Sequence, residues 1–263
     1  MPAFPLVRLD NVTLRLGRTL IFSGLCLDIE RGERLAVLGA NGSGKSSLLR
    51  LLAGDLRPAQ DAPGGIYWAF AGRPDSSALA ARERVRLVSP RLQRAYVRQG
   101  WKVSGLEILL SGLDNTALLY GQSAGEQREA AAALAESVGA GYLLDKKAPA
   151  MSQGQLRLAL LLRALLPRPD LLLLDEPFDG LDASARGAFL RALSQAADQA
   201  LVLTAHRQED LPPLIRRAIR LEAGRTPAPV LRERPLSSLE VTACEMGGSG
   251  GHHAPRRGGG GGG

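Results

Sequence analysis

The residues 39–46, Gly39-Ala-Asn-Gly-Ser-Gly-Lys-Ser46, fit the phosphate-binding pattern G-x-x-x-x-G-K-[ST] at every fixed position. Its glycines let the backbone curl, so that successive amide N–H groups point at phosphate oxygens. Lys45 is then placed to reach the β and γ phosphates, and Ser46 to hold Mg²⁺. The pattern predicts a nucleotide site and leaves kinase, GTPase and ATPase activity open. The predicted nucleotide-binding residues are Gly39, Ala40, Asn41, Gly42, Ser43, Gly44, Lys45, Ser46 and Ser47.

Three further segments carry side chains that could do chemistry. Residues 151–155, Met-Ser-Gln-Gly-Gln, precede a strongly apolar helical stretch, Asp175 and Glu176 follow four leucines, and His206 follows another apolar run. Taken singly, each has an ordinary structural explanation. A pair of carboxylates can cap a turn, and a lone histidine after a strand is usually a surface or packed residue.

The flanking sequence predicts the elements that position these residues. Residues 35–38 form an apolar run typical of a buried strand, and residues 47–53 predict a helix that ends at Gly54. Residues 171–174 are apolar without alternation, which is typical of a parallel strand covered on both faces. Asp175 and Glu176 are therefore expected at the carboxyl end of that strand.

The rest of the chain predicts an α/β protein with a P-loop NTPase core, a mostly parallel sheet, an antiparallel β subdomain and an α-helical subdomain. Antiparallel strands are expected from Leu6 to Ile29, in pieces separated by Gly17 and Gly24. The further predicted segments are strands at 66–70, 84–89 and 201–204, a helical subdomain at about 92–150, a helix at 183–195, and a final helix and strand toward Leu221.

Composition limits the other possibilities. The formal charge of +7 favours anionic partners, but no run of five or six like charges occurs, so a solvated surface is favoured over a nucleic-acid footprint. Cys26 and Cys244 show no spacing for a disulfide framework or a zinc site. No apolar stretch reaches the roughly 18 residues of a membrane span, and the first residues lack a signal-peptide pattern, so a cytoplasmic protein is expected.

The ordered motifs together resemble the nucleotide-binding subunit of an ABC ATPase across roughly residues 6–225. The resemblance implies that Asp175 orders Mg²⁺, that Glu176 is the general base, and that His206 contacts the γ-phosphate of ATP. It also implies that Ser152, Gln153, Gly154 and Gln155 form the signature segment, which binds a γ-phosphate held by the opposite subunit. Lys45, Glu176 and His206 are then the catalytic residues, Ser46 and Asp175 the metal ligands, and ATP and Mg²⁺ the cofactors.

Three positions depart from that family pattern. Gln153 replaces a glycine of the signature, Leu16 stands where an aromatic side chain commonly stacks on adenine, and residues 87–90 lack the expected glutamine. Gln93 or Gln99 could supply the missing metal contact. Residues 88–90, 109–112 and 206–212 most resemble the ModF-like molybdenum-transport ATP-binding proteins.

The resemblance implies an ATP-hydrolysing subunit at the cytoplasmic face of the membrane, paired with a second cassette and a separate integral membrane permease. The alternative is a soluble ABC ATPase acting on nucleic acid or ribosomes, but one cassette occurs here and no sustained heptads separate Lys45 from Ser152. A nucleotide-gated regulator would lack the base, whereas Glu176 is present. The domain is expected to span 1–225, followed by a weakly ordered extension at 226–246 and a disordered glycine-rich tail at 247–263.

Overall fold

The computed structural model describes residues 4–222 and the backbone of residues 232–233. The strands are β1 (Val7–Leu16), β2 (Thr19–Ile29), β3 (Arg34–Leu38), β4 (Gly65–Trp68), β5 (Val85–Val88), β6 (Leu171–Leu174), β7 (Ala200–Ala205), β8 (Arg217–Arg220) and β9 (Arg232–Glu233). The α-helices are α1 (Lys45–Leu52), α2 (Ala78–Arg84), α3 (Pro90–Gln99), α4 (Gly105–Leu110), α5 (Gly125–Ser137), α6 (Gln153–Leu165) and α7 (Ala183–Ser194). Short 3-10 turns lie at Gly141–Leu143, Ala148–Ala150 and Gln208–Asp210.

The main sheet has the strand order β5-β6-β7-β3-β8-β9. All its neighbouring pairs are parallel except β8 with the edge strand β9. Because parallel strands end at the same edge of a sheet, the segments that follow β3, β6 and β7 lie side by side. This arrangement brings the phosphate loop, the two carboxylates and His206 to one edge.

Both faces of the main sheet are covered by apolar side chains. Leu172 and Leu174 of β6 belong to a core packed by the helices α4 to α7, and Leu171 and Leu173 belong to a second core that includes α1 and the smaller sheet. All four leucines are fully buried, which stabilises the fold by about 1.5–3 kcal/mol for each side chain. The predicted α/β class with a mostly parallel sheet is confirmed.

The smaller sheet has the order β2-β1-β4 and is antiparallel. The predicted interruption at Gly24 is wrong, because β2 runs through it. Ser23 and Gly24 together oppose the single residue Thr13 between the paired positions Val12–Leu25 and Leu14–Phe22. This two-against-one pairing is a β-bulge, and the positive φ of 67° at Gly24 suits a residue without a Cβ.

The helices differ from the sequence-based predictions at three places. The helix expected after His206 is absent from the described residues, where only the turn Gln208–Asp210 forms, because Pro212 and Pro213 supply no backbone N–H for a longer helix. Conversely, α2 was not predicted, although Ser77 caps its first turn. The helix α6 begins at Gln153, earlier than its apolar residues indicate, because Ser152 is its N-cap.

None of the helices among the described residues is both long enough and apolar enough to cross a membrane. The sequence segments 226–246 and 247–263 lie outside the described residues, apart from β9.

Candidate nucleotide-binding and hydrolysis site

The phosphate loop connects β3 to α1 at the carboxyl edge of the main sheet. Gly44 is the N-cap of α1 and has a φ of 97°. A Cβ added at Gly44 would lie 2.8 Å from Cγ2 of Ile21, on the β1–β2 hairpin, so both backbone conformation and space require glycine here. No side chain caps α1, and its first N–H groups therefore remain available to an anion.

Lys45 is the first residue of α1, and its side chain reaches back to the start of the phosphate loop. Its Nζ donates to the carbonyl of Gly39 at 2.8 Å and to that of Ala40 at 3.1 Å, and the side chain is 4% exposed. Ser43 Oγ is also buried, and it has no hydrogen-bond partner within the described part of the chain. A buried hydroxyl without a partner is costly unless a ligand completes its bonding. This orphaned hydroxyl fits a phosphate oxygen in the loop.

The carboxylates Asp175 and Glu176 follow β6 and are held by a buried threonine on β7. Thr204 Oγ1 donates to Asp175 Oδ1 at 2.9 Å and accepts from the backbone N–H of Glu176 at 2.8 Å. Glu176 has a φ of 48°, which is unusual for a residue with a side chain. Thr204 is a residue of this candidate site that the sequence did not indicate, because its partners lie almost 30 positions away.

Glu176 lies between Lys45 and His206. Its Oε1 is 3.6 Å from Lys45 Nζ and 3.0 Å from His206 Nε2. The structure thus brings all three predicted catalytic side chains together. A carboxylate held beside the phosphate lysine can align and deprotonate a water molecule that attacks a γ-phosphate.

The predicted metal ligands Ser46 and Asp175 line one cavity of about 840 Å³, and Glu176 lines it as well. Hydroxyl and carboxylate oxygens are the hard donors that Mg²⁺ prefers, and the ion normally shares its coordination sphere with substrate phosphates. These residues therefore fit Mg²⁺ bound next to the phosphate loop.

The signature segment starts α6 with a complete capping box. Ser152 Oγ accepts from the N–H of Gln155 at 3.2 Å, and Gln155 Oε1 accepts from the N–H of Ser152 at 3.0 Å. Gly154 has a packing reason as well, because a Cβ there would lie 2.9 Å from Cβ of Ala185. Ser152 and Gln153 are exposed. Among the described residues, no hydrogen bond or ion pair joins this segment to the phosphate loop.

The three departures from the family pattern have distinct structural settings. Leu16 is 38% exposed on the β1–β2 hairpin, whose Ile21 approaches Gly44. Gln99 is exposed at the end of α3, whereas Gln93 is buried and donates from Nε2 to the carbonyl of Gln153 at 3.1 Å. Neither glutamine lines the cavity that contains Ser46 and Asp175.

The 840 Å³ cavity is lined by more arginines than carboxylates. Its arginines are Arg50, Arg82, Arg91, Arg94 and Arg163. None of the five forms an ion pair within the described part of the chain, and the carboxylates lining the cavity are Asp55, Asp175 and Glu176. Arg163 is almost fully buried, and burial lowers the pKa of its guanidinium. Part of the basic charge that the sequence shows as dispersed is therefore gathered in one cleft.

Comparison with known proteins identifies a family match. The protein-family model described as "ABC transporter" matches residues 22–179. The chain is 31% identical over 223 residues to YlmA of Bacillus subtilis, an uncharacterized ABC transporter ATP-binding protein, with 83% of each chain covered. It is 36% identical over 216 residues to LolD of Pseudomonas syringae pv. tomato, a lipoprotein-releasing system ATP-binding protein, covering 78% of this chain and 88% of LolD.

Solved structures show the same fold at lower identity. An ABC transporter cassette, MJ1267 in its ADP conformation, matches with a TM-score of 0.68 at 22% identity, covering 87% of this chain and 91% of that cassette. The cassette MJ0796, solved as a dimer, matches with a TM-score of 0.64 at 21% identity, covering 83% of this chain and 97% of that cassette.

Proposed function

This chain belongs to the ABC transporter family as an ATP-binding subunit, and from that premise we propose that two copies of it hydrolyse ATP at their shared interface to power a separate membrane permease. Proteins of this family are ATPases, so the reaction itself follows from membership. The proposal adds the roles of individual residues, the homodimer, the permease and a location at the cytoplasmic face of the membrane.

Each proposed role rests on the position of its side chain. The phosphate loop binds the β and γ phosphates through its N–H groups and Lys45. Glu176 aligns and deprotonates the attacking water, and His206, which is 3.0 Å away, steadies the Glu176 carboxylate and reaches the γ-phosphate. When bound, Mg²⁺ would be held by Ser46 and Asp175 and would neutralise charge on the transferred phosphoryl group.

The proposal of a dimer rests mainly on the exposed N-terminus of α6, where the signature segment lies. The capping box uses the N–H groups of Ser152 and Gln155, and it leaves those of Gln153 and Gly154 at an exposed helix N-terminus. Such donors bind phosphate well. Because no hydrogen bond or ion pair in the described part of the chain joins this segment to its own phosphate loop, the γ-phosphate that it meets is assigned to a second copy.

Mixing two inactive variants tests this assembly. Lys45→Ala chains and Ser152→Arg chains should each be inactive alone, because one lacks phosphate binding and the other blocks the signature segment. A mixed dimer contains one site with both parts intact. In an equal mixture, ATPase activity should return to about a quarter of the wild-type level if the chains pair at random and each site acts alone. Turnover is measured over a range of mixing ratios.

A mixture of Lys45→Ala with a Lys45→Ala/Ser152→Arg double variant is the matched control, since no pairing of these chains gives an intact site. Persistent inactivity of the first mixture, with both variants folded, would contradict a homodimer acting in trans.

The basic cleft is the proposed contact for the permease. Four of its arginines, Arg50, Arg82, Arg91 and Arg94, are at least partly exposed and form no ion pair among the described residues, and Glu176 also lines the cleft. A cytoplasmic segment of the permease with acidic side chains complements that charge. A ligand in this position would also be close to the catalytic carboxylates, so its binding could respond to hydrolysis.

Charge reversal tests the cleft contact. The double variant Arg91→Glu/Arg94→Glu should bind washed membrane vesicles from cells that make the permease at least about tenfold more weakly than the wild type. Its ATP affinity in solution should stay at the wild-type value, because both side chains are exposed and lie outside the phosphate loop. Arg128→Glu, an exposed change on α5, is the control. Unchanged membrane association of the double variant would exclude this contact.

The cargo is left open, because the named relatives serve different ones. LolD is named for lipoprotein release, and SsuB of Granulibacter bethesdensis, 34% identical over 231 residues, for import of aliphatic sulfonates. A place in the ModF-like molybdenum-transport group is proposed only on the residue segments that resemble it. Because these relatives belong to transport systems, action on nucleic acid or ribosomes is not supported.

A further inference from the structure

Arg157 joins the signature helix to the loop that follows the catalytic glutamate. It lies in the second turn of α6, and its Nη1 donates to the carbonyl of Pro177 at 3.4 Å and to the carbonyl of Asp179. Its Nε donates to Oε1 of Gln93, on α3, at 3.0 Å. One guanidinium therefore holds two backbone carbonyls of residues 177–179 and one side chain of a neighbouring helix.

The loop needs such a restraint because its first residue is strained. Glu176 has a φ of 48°, a conformation that a residue with a Cβ keeps only when its surroundings fix it. On its amino side, the Glu176 N–H is held by Thr204 at 2.8 Å. On its carboxyl side, Arg157 ties the carbonyls of Pro177 and Asp179 to α6. We propose that Arg157 is a positioning residue that holds Glu176 in its hydrolytic conformation.

Gln93 fixes the direction in which the Arg157 guanidinium points. Its carboxamide is 8% exposed, with Oε1 accepting from Arg157 and Nε2 donating to the carbonyl of Gln153. Rotating the carboxamide by half a turn would break both bonds at once. Gln93 thus acts through Arg157, and both ends of its buried carboxamide are engaged in these bonds.

These contacts connect the signature segment to the general base through two side chains. Gln153 binds Gln93, Gln93 binds Arg157, and Arg157 binds the loop after Glu176. In the proposed dimer, Gln153 faces the ATP of one site while Glu176 serves the other, so a change at one site would reach the other by this route. That coupling rests on the proposed function, whereas the positioning of Glu176 rests only on the ATPase reaction.

Steady-state kinetics of the full chain separate positioning from binding. Arg157→Ala should lower kcat for ATP hydrolysis at least about tenfold and leave KM within about twofold, as expected when an interaction matters only in the transition state. Arg157→Lys should restore little, because an ammonium keeps the charge but cannot replace a planar fork with several fixed donors. Arg128→Ala is the control, and melting temperatures verify that each variant is folded.

A double-mutant cycle with Glu176→Gln distinguishes positioning from a general structural effect. If Arg157 acts through Glu176, Arg157→Ala should reduce the residual turnover of the Glu176→Gln protein less than about twofold. A full tenfold further loss would overturn the proposal, as would an Arg157→Ala defect confined to KM.

Gln93 variants keep the test informative if Arg157→Ala does not fold. Gln93→Glu retains an acceptor for Arg157 and should keep kcat within about threefold of wild type, whereas Gln93→Leu removes it and should share the kcat defect. Equal, wild-type kcat in both variants would also contradict the proposal. If the Gln93 variants lost cooperativity in the ATP dependence of turnover but kept the wild-type kcat, the positioning of Glu176 would be refuted. Only the coupling between the two ATP sites would then remain.

Discussion

Lys45→Ala raises the Kd for ATP at least about a hundredfold in titration calorimetry. The change removes the Nζ that now rests on the carbonyls of Gly39 and Ala40, and which is placed to exchange these contacts for phosphate oxygens. Hydrogen bonds to charged groups contribute about 1.5–3 kcal/mol each, and two such bonds account for a loss of this size. The loop glycines remain, so the protein should still fold.

Lys102→Ala, which removes an exposed lysine, is the matched control and should bind ATP like the wild type. An unchanged Kd for Lys45→Ala would show that residues 39–46 do not hold the phosphates. A lowered melting temperature without ATP would instead reveal that Lys45 also stabilises the empty loop.

Glu176→Gln should retain ATP and slow its hydrolysis by about a hundredfold to ten-thousandfold. The amide has nearly the same shape and can still bond to His206, but it cannot accept a proton from water. Because ATP persists in the site, this variant should also shift from monomer to dimer when ATP is added, which light scattering can follow. Single-turnover measurement of phosphate release gives the rate directly.

Glu126→Gln, an exposed change on α5, should leave both turnover and assembly unaltered. Near wild-type turnover of Glu176→Gln would move the general base to another residue. If Glu176→Gln turned over slowly but formed no dimer on adding ATP, Glu176 would still be supported as the general base. The idea that ATP links two copies would lose its support.

Local patterns were enough to predict the parts of the site that lie on one continuous segment. The glycine spacing of the phosphate loop, the unbroken leucines before Asp175 and the serine before α6 each determine their own backbone over a few residues. The position of Asp175 and Glu176 at the carboxyl end of their strand followed from the unbroken apolar run of a parallel strand covered on both faces. The α/β class could be derived in the same way.

The errors and omissions concern contacts between distant segments. Gly24 was expected to end a strand, but pairing with β1 turns it into a bulge within one. Thr204 and Arg157 show no local pattern, because their partners on the other side of the site are 20 or more residues away. The gathering of dispersed arginines in a cleft has the same cause, since only the folded chain brings α1, α2 and α3 around one cavity.

The run of identical leucines in β6 has a consequence for how Asp175 and Glu176 reach their positions. Since the same side chain faces both cores, sliding β6 by one residue would bury leucine on either face almost as well, and packing alone hardly distinguishes the alternatives. The aspartates that flank the strand make the distinction: in the observed register Asp170 and Asp175 lie just outside β6, where their backbone N–H groups donate to the carbonyls of Arg84 and Val88 at 2.9 Å each. A slipped strand would draw a carboxylate between the two apolar layers, which costs far more than the leucines could recover. Asp175, predicted as a metal ligand, thus also helps to fix the register of the strand that positions it.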